Sequence, residues 1–181
     1  IMKVAYPEID SKQIISLPMP MIKDRDELKR VHDEVAKIIA EWLEKGKNVV
    51  FLTLGDPTVY STYIYVHKRV EQLGYATEIV SGITSFCAVS ARFNEGLVEK
   101  SQQLHVIPAS YQIEEALKLP GTKVLMKTGK KMQEVKAQIK ESGNKAEMIE
   151  NCGMPDEKIY RSVEEIPDDA GYYSLIIVKE K

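Results

Sequence analysis

Residues 48–93 read NVVFLTLGDPTVYSTYIYVHKRVEQLGYATEIVSGITSFCAVSARF, and the order of elements in this stretch decides the fold. Val49–Leu54 is an apolar run of the kind expected of a parallel strand covered on both faces. It opens into Leu54-Gly55-Asp56-Pro57, after which helical spacing runs from about Ser61 to Leu73 and stops at Gly74. A second strand is predicted over Ala76–Val80, opening into Ser81-Gly82-Ile83-Thr84-Ser85 and a short helix to Phe93. This alternation predicts an α/β fold with right-handed crossovers. It also sets the two loops side by side at the carboxyl ends of their strands, where ligands bind in such sheets.

Working outward, a short strand is predicted at Gln13–Leu17, closed by Pro18 and Pro20. Asp24 resembles an N-cap with Glu27 completing a capping box, and Leu28, Val31, Val35, Ile38, Ile39, Trp42 and Leu43 follow at helical spacing to Gly46. Beyond a polar loop at 93–103, a strand at Leu104–Ile107 runs into Pro108-Ala109-Ser110, which predicts a domain boundary there: 1–108 and 109–181. The second half reads as a helix at Ile113–Leu117, a strand at Lys123–Met126, and a helix marked by Met132, Val135 and Ile139 and capped by Gly143. Strands at Ala146–Ile149 and Lys158–Tyr160 flank a Cys152-Gly153-Met154-Pro155 turn, and Tyr172–Val178 closes the chain. Two neighbouring strands with no helix between them predict a mixed second sheet.

Each loop has two readings. Gly55 allows a ligand close to the backbone, Asp56 offers a carboxylate to ribose hydroxyls or a cation, and Pro57 suits a helix start. The alternative is a tight turn with Asp56 capping the helix. In the second loop Thr84 and Ser85 present hydroxyls and free amides at a helix start, a seat for a carboxylate, or they simply cap the helix.

The runs LGDPTVYSTY, GITSF, HVIPASY, VLMKTGK, ENCGM and GYYSLIIVK together resemble the tetrapyrrole (corrin/porphyrin) methylase family, from about Pro18 to Lys179. STYIYVHKRV, SFCAVSARF and IPASY are most like its branch that methylates C20 of precorrin-2, or of its cobalt-loaded relative, in cobalamin biosynthesis. The resemblance implies two α/β domains, a parallel N-terminal sheet and a mixed C-terminal one, with S-adenosylmethionine folded into the cleft between them. It implies cofactor contacts from Leu54, Gly55, Asp56, Val59, Tyr60, Thr84, Ser85, Met126, Asn151, Cys152 and Ser174. Tyr63, Arg92 and His105 are candidates for the tetrapyrrole substrate, Arg92 through a macrocycle carboxylate. A homodimer is implied as well. In two places the chain departs from the pattern: Ser81 stands where the family has proline, and nothing before Ile14 matches the opening strand and glycine-rich loop. The expectation is an exposed sheet edge.

The reaction needs a base for the C20 proton, and His32, His67 and His105 are candidates by residue type alone; no catalytic residue is assigned. The alternatives are a sister methylase acting at another macrocycle carbon, or a binding-only fragment of the fold. A net charge of −2 over 181 residues, with scattered Lys and Arg, gives no electrostatic ground for nucleic acid. No apolar run approaches a membrane span and no signal-peptide pattern opens the chain. Cys87 and Cys152 lack metal-ligand spacing and read as thiols of a reducing cytoplasm, with no protein-bound metal expected.

Overall fold

Asp24 starts the first long helix. In the computed structural model, which describes residues 6–20, 22, 24–109 and 113–180, its carboxylate accepts from the amides of Asp26 and Glu27 at 2.9 and 3.0 Å. Helix α1 then spans Arg25–Glu44 and helix α2 spans Tyr63–Gln72. The periodic apolar positions do what the spacing predicts: Val35, Ala36 and Ile39 of α1 pack on Val66 and Val70 of α2. His32 is buried in the same interface, its ring stacked on Tyr65 with centroids 5.2 Å apart. An Arg69–Asp33 ion pair crosses beside it.

The contact pattern divides the chain into two compact units that part between Gly82 and Ile83. In the first unit, the expected N-terminal parallel sheet does not form among the described residues. Residues 47–53 and 75–84 carry no strand assignment, nor do 12–20. The reason is that an extended segment becomes a strand only when a lateral partner takes its amides and carbonyls. Alternation is nonetheless present: Phe51 turns toward the α1–α2 core, while Val50, Leu52 and Leu54 are 78%, 53% and 53% exposed.

The second unit holds a five-stranded sheet of order β1-β2-β5-β3-β4, made of β1 (Leu104–Pro108), β2 (Thr122–Met126), β3 (Lys145–Glu150), β4 (Lys158–Tyr160) and β5 (Ser174–Lys179). Only β1 and β2 are parallel; the other pairings are antiparallel, so the expected mixed sheet is present. Three helices accompany it: α3 (Ser85–Phe93), α4 (Glu114–Leu117) and α5 (Met132–Ser142). The register sorts the strands' side chains by face. Val124, Ile149, Leu175 and Ile177 meet Val89 and Phe93 of α3; Leu125, Met148, Ile176 and Val178 meet Leu117 of α4 and Met132, Val135 and Ile139 of α5. The sheet is therefore the middle of three layers. Both α3 and β1 belong to this unit, although they precede the boundary expected after Pro108; Ser110 of that boundary lies outside the described residues.

Ile139 is completely buried in this core, and Ile139→Ala should cost about 2–5 kcal/mol, read as a lowered urea midpoint. In the first unit His32 titrates below its ordinary range, chiefly because it is buried and secondarily because of the Arg69 charge. Below pH ~6.5 the unfolded chain binds a proton that folded His32 resists, so stability should decline toward acid until the folded group also titrates. His32→Phe keeps a stacking ring and should flatten the melting temperature's pH dependence just below pH ~6.5.

Candidate functional site

Asp56 joins the two loops that the sequence singled out. One carboxylate oxygen accepts from the backbone amide of Thr58 at 2.8 Å and from the Thr58 hydroxyl. The other accepts from the amide of Gly82, 26 residues further on, at 3.0 Å. These bonds, the Thr58 hydroxyl foremost, hold the Asp56 carboxyl below the usual range. Gly82 fits because it lacks a side chain: a Cβ there would lie 2.2 Å from the Gly55 carbonyl oxygen. The turn closes through Val59 N–H to the Asp56 carbonyl at 3.2 Å. Tyr60 follows with φ of 51°, a left-handed angle that aromatic residues rarely take. Asp56 thus spends its carboxylate on clasping the loops, while Gly55 and Leu54 stay exposed.

In the second unit the strand directions gather the remaining candidates. The carboxyl ends of β1, β2 and β3 and the amino end of β5 share one edge of the sheet, where Met126 pairs with Leu175 and Glu150 with Ser174. Lys127 and Asn151, the residues directly after β2 and β3, both take left-handed backbone angles, φ 60° and 54°. Asn151 donates from its backbone to the Tyr173 carbonyl at 3.0 Å and from its side chain to Asp156 at 2.6 Å. Met126 and Cys152 pack with Phe86 of α3 against the sheet. The Ser174 hydroxyl is turned inward, donating to the Gly171 carbonyl at 2.8 Å.

Thr84 stands at the N-cap of α3 but its side chain caps nothing. Its hydroxyl is buried without a hydrogen-bond partner, which speaks against the plain capping reading. Thr128, just past β2, has a second buried, unpartnered hydroxyl. Sequence reading passed over Thr128 even though it lies within the VLMKTGK run; the only signal was its position two residues after the strand end.

Arg92 and His105 have local employment. Arg92 binds Glu157 at 2.6 Å, and the other Glu157 oxygen accepts from the Gly153 amide at 2.7 Å. The pair is a strap across the 151–154 turn, and it raises Arg92 further above its ordinary value. Beside it the Cys152 thiol is pushed up, first by burial and then by the Glu157 charge, so it is a poor nucleophile. His105 lies near the start of β1, away from the carboxyl edge, and its Nε2 is 2.8 Å from the Pro120 carbonyl. Among the described residues no group of three or more His, Cys, Asp or Glu is arranged to hold a metal, and no helix is long and apolar enough to cross a membrane.

The profile of the tetrapyrrole (corrin/porphyrin) methylases matches residues 3–167. A probable cobalt-precorrin-2 C(20)-methyltransferase of Methanocaldococcus jannaschii is 34% identical over 94% of this chain and 74% of its own length. The cobalt-precorrin-2 C(20)-methyltransferase of Salmonella typhimurium is 34% identical over 90% of this chain and 71% of its own. Among solved structures, a cobalt precorrin-4 methyltransferase superposes with a TM-score of 0.71 at 20% identity, covering 81% of this chain and 70% of that one. A uroporphyrin-III C-methyl transferase from Thermus thermophilus, complexed with S-adenyl homocysteine, gives 0.65 at 17% identity, covering 82% and 73%.

Because Asp56 is held below the ordinary carboxylate value of ~3.9, the clasp is fully present above that pH and is lost as pH falls through the lowered folded value. The Gly82 amide resonance should therefore titrate with a midpoint below pH ~3.9. Asp56→Asn should remove that titration; a Gly82 shift that still follows the acid range in the variant would break the assignment.

Proposed function

The chain belongs to the tetrapyrrole (corrin/porphyrin) methylases, and from that premise we propose that it is an S-adenosylmethionine-dependent C-methyltransferase acting at C20 of cobalt-precorrin-2 in cobalamin biosynthesis. The observation that carries the reading is the likeness, over nearly the whole chain, to two relatives that bear this activity in their names. The cobalt-loaded macrocycle is preferred to the metal-free one because the metal-free precorrin-2 C(20)-methyltransferase of Sinorhizobium is less similar, at 28% identity.

The residues present fit the donor. Among the described residues three buried hydroxyls lack a partner, Thr77, Thr84 and Thr128, and of these Thr84 and Thr128 sit in the loops assigned to the donor. Gly55 exposes its backbone to a ligand, and the left-handed angles at Tyr60, Lys127 and Asn151 fix the course of their own loops. Donor contacts are therefore assigned to Leu54, Gly55, Val59 and Tyr60 in the first unit. In the second they fall to Thr84, Ser85, Thr128, Met126, Asn151 and Cys152. Asp56 supports them through the loop clasp, and Ser174 supports them through its own turn.

When bound, the donor supplies a methyl group on a sulfonium, electrophilic enough for direct displacement. The chain's share is to hold acceptor and methyl in line and to keep water out. It must also provide a route for the proton that leaves C20. A homodimer belongs to the same reading, supported by the sequence resemblance. So does a cytoplasmic setting, which suits two free thiols.

Incubation with isotope-labelled S-adenosylmethionine should place the label on C20, faster on cobalt-precorrin-2 than on precorrin-2, as read by NMR. Label on another carbon would make the protein a sister methylase. S-adenosylhomocysteine binding without transfer would favour a binding-only role. Gly82→Ala should weaken S-adenosylhomocysteine binding by about tenfold or more, ~1.4 kcal/mol, measured by calorimetry, because the added carbon pries the loops apart.

A further inference from the structure

On α2, Tyr63, His67 and Glu71 follow one another at four-residue intervals and therefore stand in a row along one side of the helix. The Tyr63 hydroxyl is 3.2 Å from His67 Nδ1, and His67 Nε2 is 3.4 Å from a Glu71 carboxylate oxygen. In the tautomer with its proton on Nε2, the His67 Nδ1 accepts from the phenol, and Nε2 faces the Glu71 carboxylate as a charge contact rather than a hydrogen bond. The His67 side chain is only 10% exposed, whereas Glu71 is 52% exposed. The row thus runs from a half-buried phenol through a largely covered imidazole to a half-exposed carboxylate. Phe51 packs on the Tyr63 ring, with centroids 5.2 Å apart, and fixes its position.

We propose that Tyr63, His67 and Glu71 form a proton relay that carries the proton lost from the methylated carbon to solvent. The inference rests on the C-methyltransferase reading. As the bond from sulfur to methyl breaks and the bond from carbon to methyl forms, the C20–H bond must break. Its electron pair restores the conjugation of the ring. The proton passes to the Tyr63 oxygen while Tyr63's own proton moves to His67 Nδ1. Glu71 stabilises the resulting imidazolium, which then loses a proton to water. Tyr63 is the group that meets the acceptor; His67 and Glu71 act through it and are positioning residues.

The surroundings favour this use. Burial, and after it the Glu71 charge, raise the Tyr63 hydroxyl above its ordinary value, so it is a protonated phenol at neutral pH, able to give one proton as it takes another. Two ionisable groups of α1 that meet α2 are committed elsewhere: Asp33 pairs with Arg69, and His32 stacks on Tyr65. From the extended segment before the loop, the Phe51 ring faces Tyr63, and Thr53 contributes only a hydroxyl, 3.4 Å from that of Ser61. Glu71 is thus the carboxylate in contact with the imidazole.

The test is the pH dependence of kcat for methyl transfer in the wild type, Tyr63→Phe, His67→Asn and Glu71→Gln. S-adenosylhomocysteine affinity and melting temperature serve as controls for folding. His67→Asn and Tyr63→Phe should each lower kcat by about 10²-fold, within the usual range for acid–base groups. KM and S-adenosylhomocysteine binding should hold in both, and the kcat profile of His67→Asn should differ in shape from that of the wild type. Glu71→Gln should lower kcat by less than His67→Asn does. A His67→Asn enzyme with wild-type kcat and an unchanged profile would overturn the relay. Label at another carbon in the wild type would revise the proposed acceptor, and the same variants would then be read on that acceptor. Long-range ¹H–¹⁵N spectra give an answer that needs no turnover: His67 should be the Nε2–H tautomer, and an Nδ1–H tautomer would dismiss the relay.

Discussion

The carboxylate of Asp56 is the constraint on which the first unit's site depends. It satisfies amides on two loops at once, Thr58 in its own turn and Gly82 in the next. A short side chain with two acceptor oxygens is what such a joint requires; glutamate would add a methylene and a rotatable bond. Gly82 must then be glycine, because the clasp draws its α-carbon against the Gly55 carbonyl. The side chain that looked most like a ligand contact is therefore the one least free to be one. In the proposed site, the contacts to the donor therefore fall to the backbone that it holds in place.

The second unit reaches the same end by other means. Its sheet collects three strand ends and two strand starts on a single edge. Local straps hold the turns there: Arg92 through Glu157 to Gly153, Asn151 to Asp156, and Gly171 to Glu150. Each strap uses a charged or amide side chain that sequence reading would assign to solvent or substrate. Against these straps, Thr84 and Thr128 keep buried hydroxyls with no hydrogen-bond partner among the described residues.

Much of the fold was legible because local rules and tertiary structure agree. Asp24 and the 3.6-residue spacing fixed the start and face of α1. The α3 helix runs from Ser85 to Phe93 as its pattern predicted, and the mixed character of the second sheet followed from two strands without a helix between them. What stayed hidden depends on distance along the chain. Arg92 finds Glu157 65 residues away, so its role as a strap left no local trace. Lys123 reads as the polar start of a strand yet is wholly buried, with the nearest Glu180 oxygen 3.9 Å away. His67 looked like one more helix residue until Tyr63 and Glu71 were seen on either side of it. The loops read as a ligand site in the sequence, whereas in the fold the acid between them serves as a joint.

The alternating run before the first loop has a consequence for handling this protein. Val50, Leu52 and Leu54 show apolar side chains to solvent on a backbone that no ladder occupies among the described residues. Such a segment is a template for any extended chain that drifts past it. Two charges bracket it, Lys47 and Asp56, in the positions where gatekeepers discourage stacking. Asp56 is already engaged in the clasp, so acid that releases the joint also neutralises one of the two guards. Loosening of the loops and the onset of self-association are thereby coupled to the same proton.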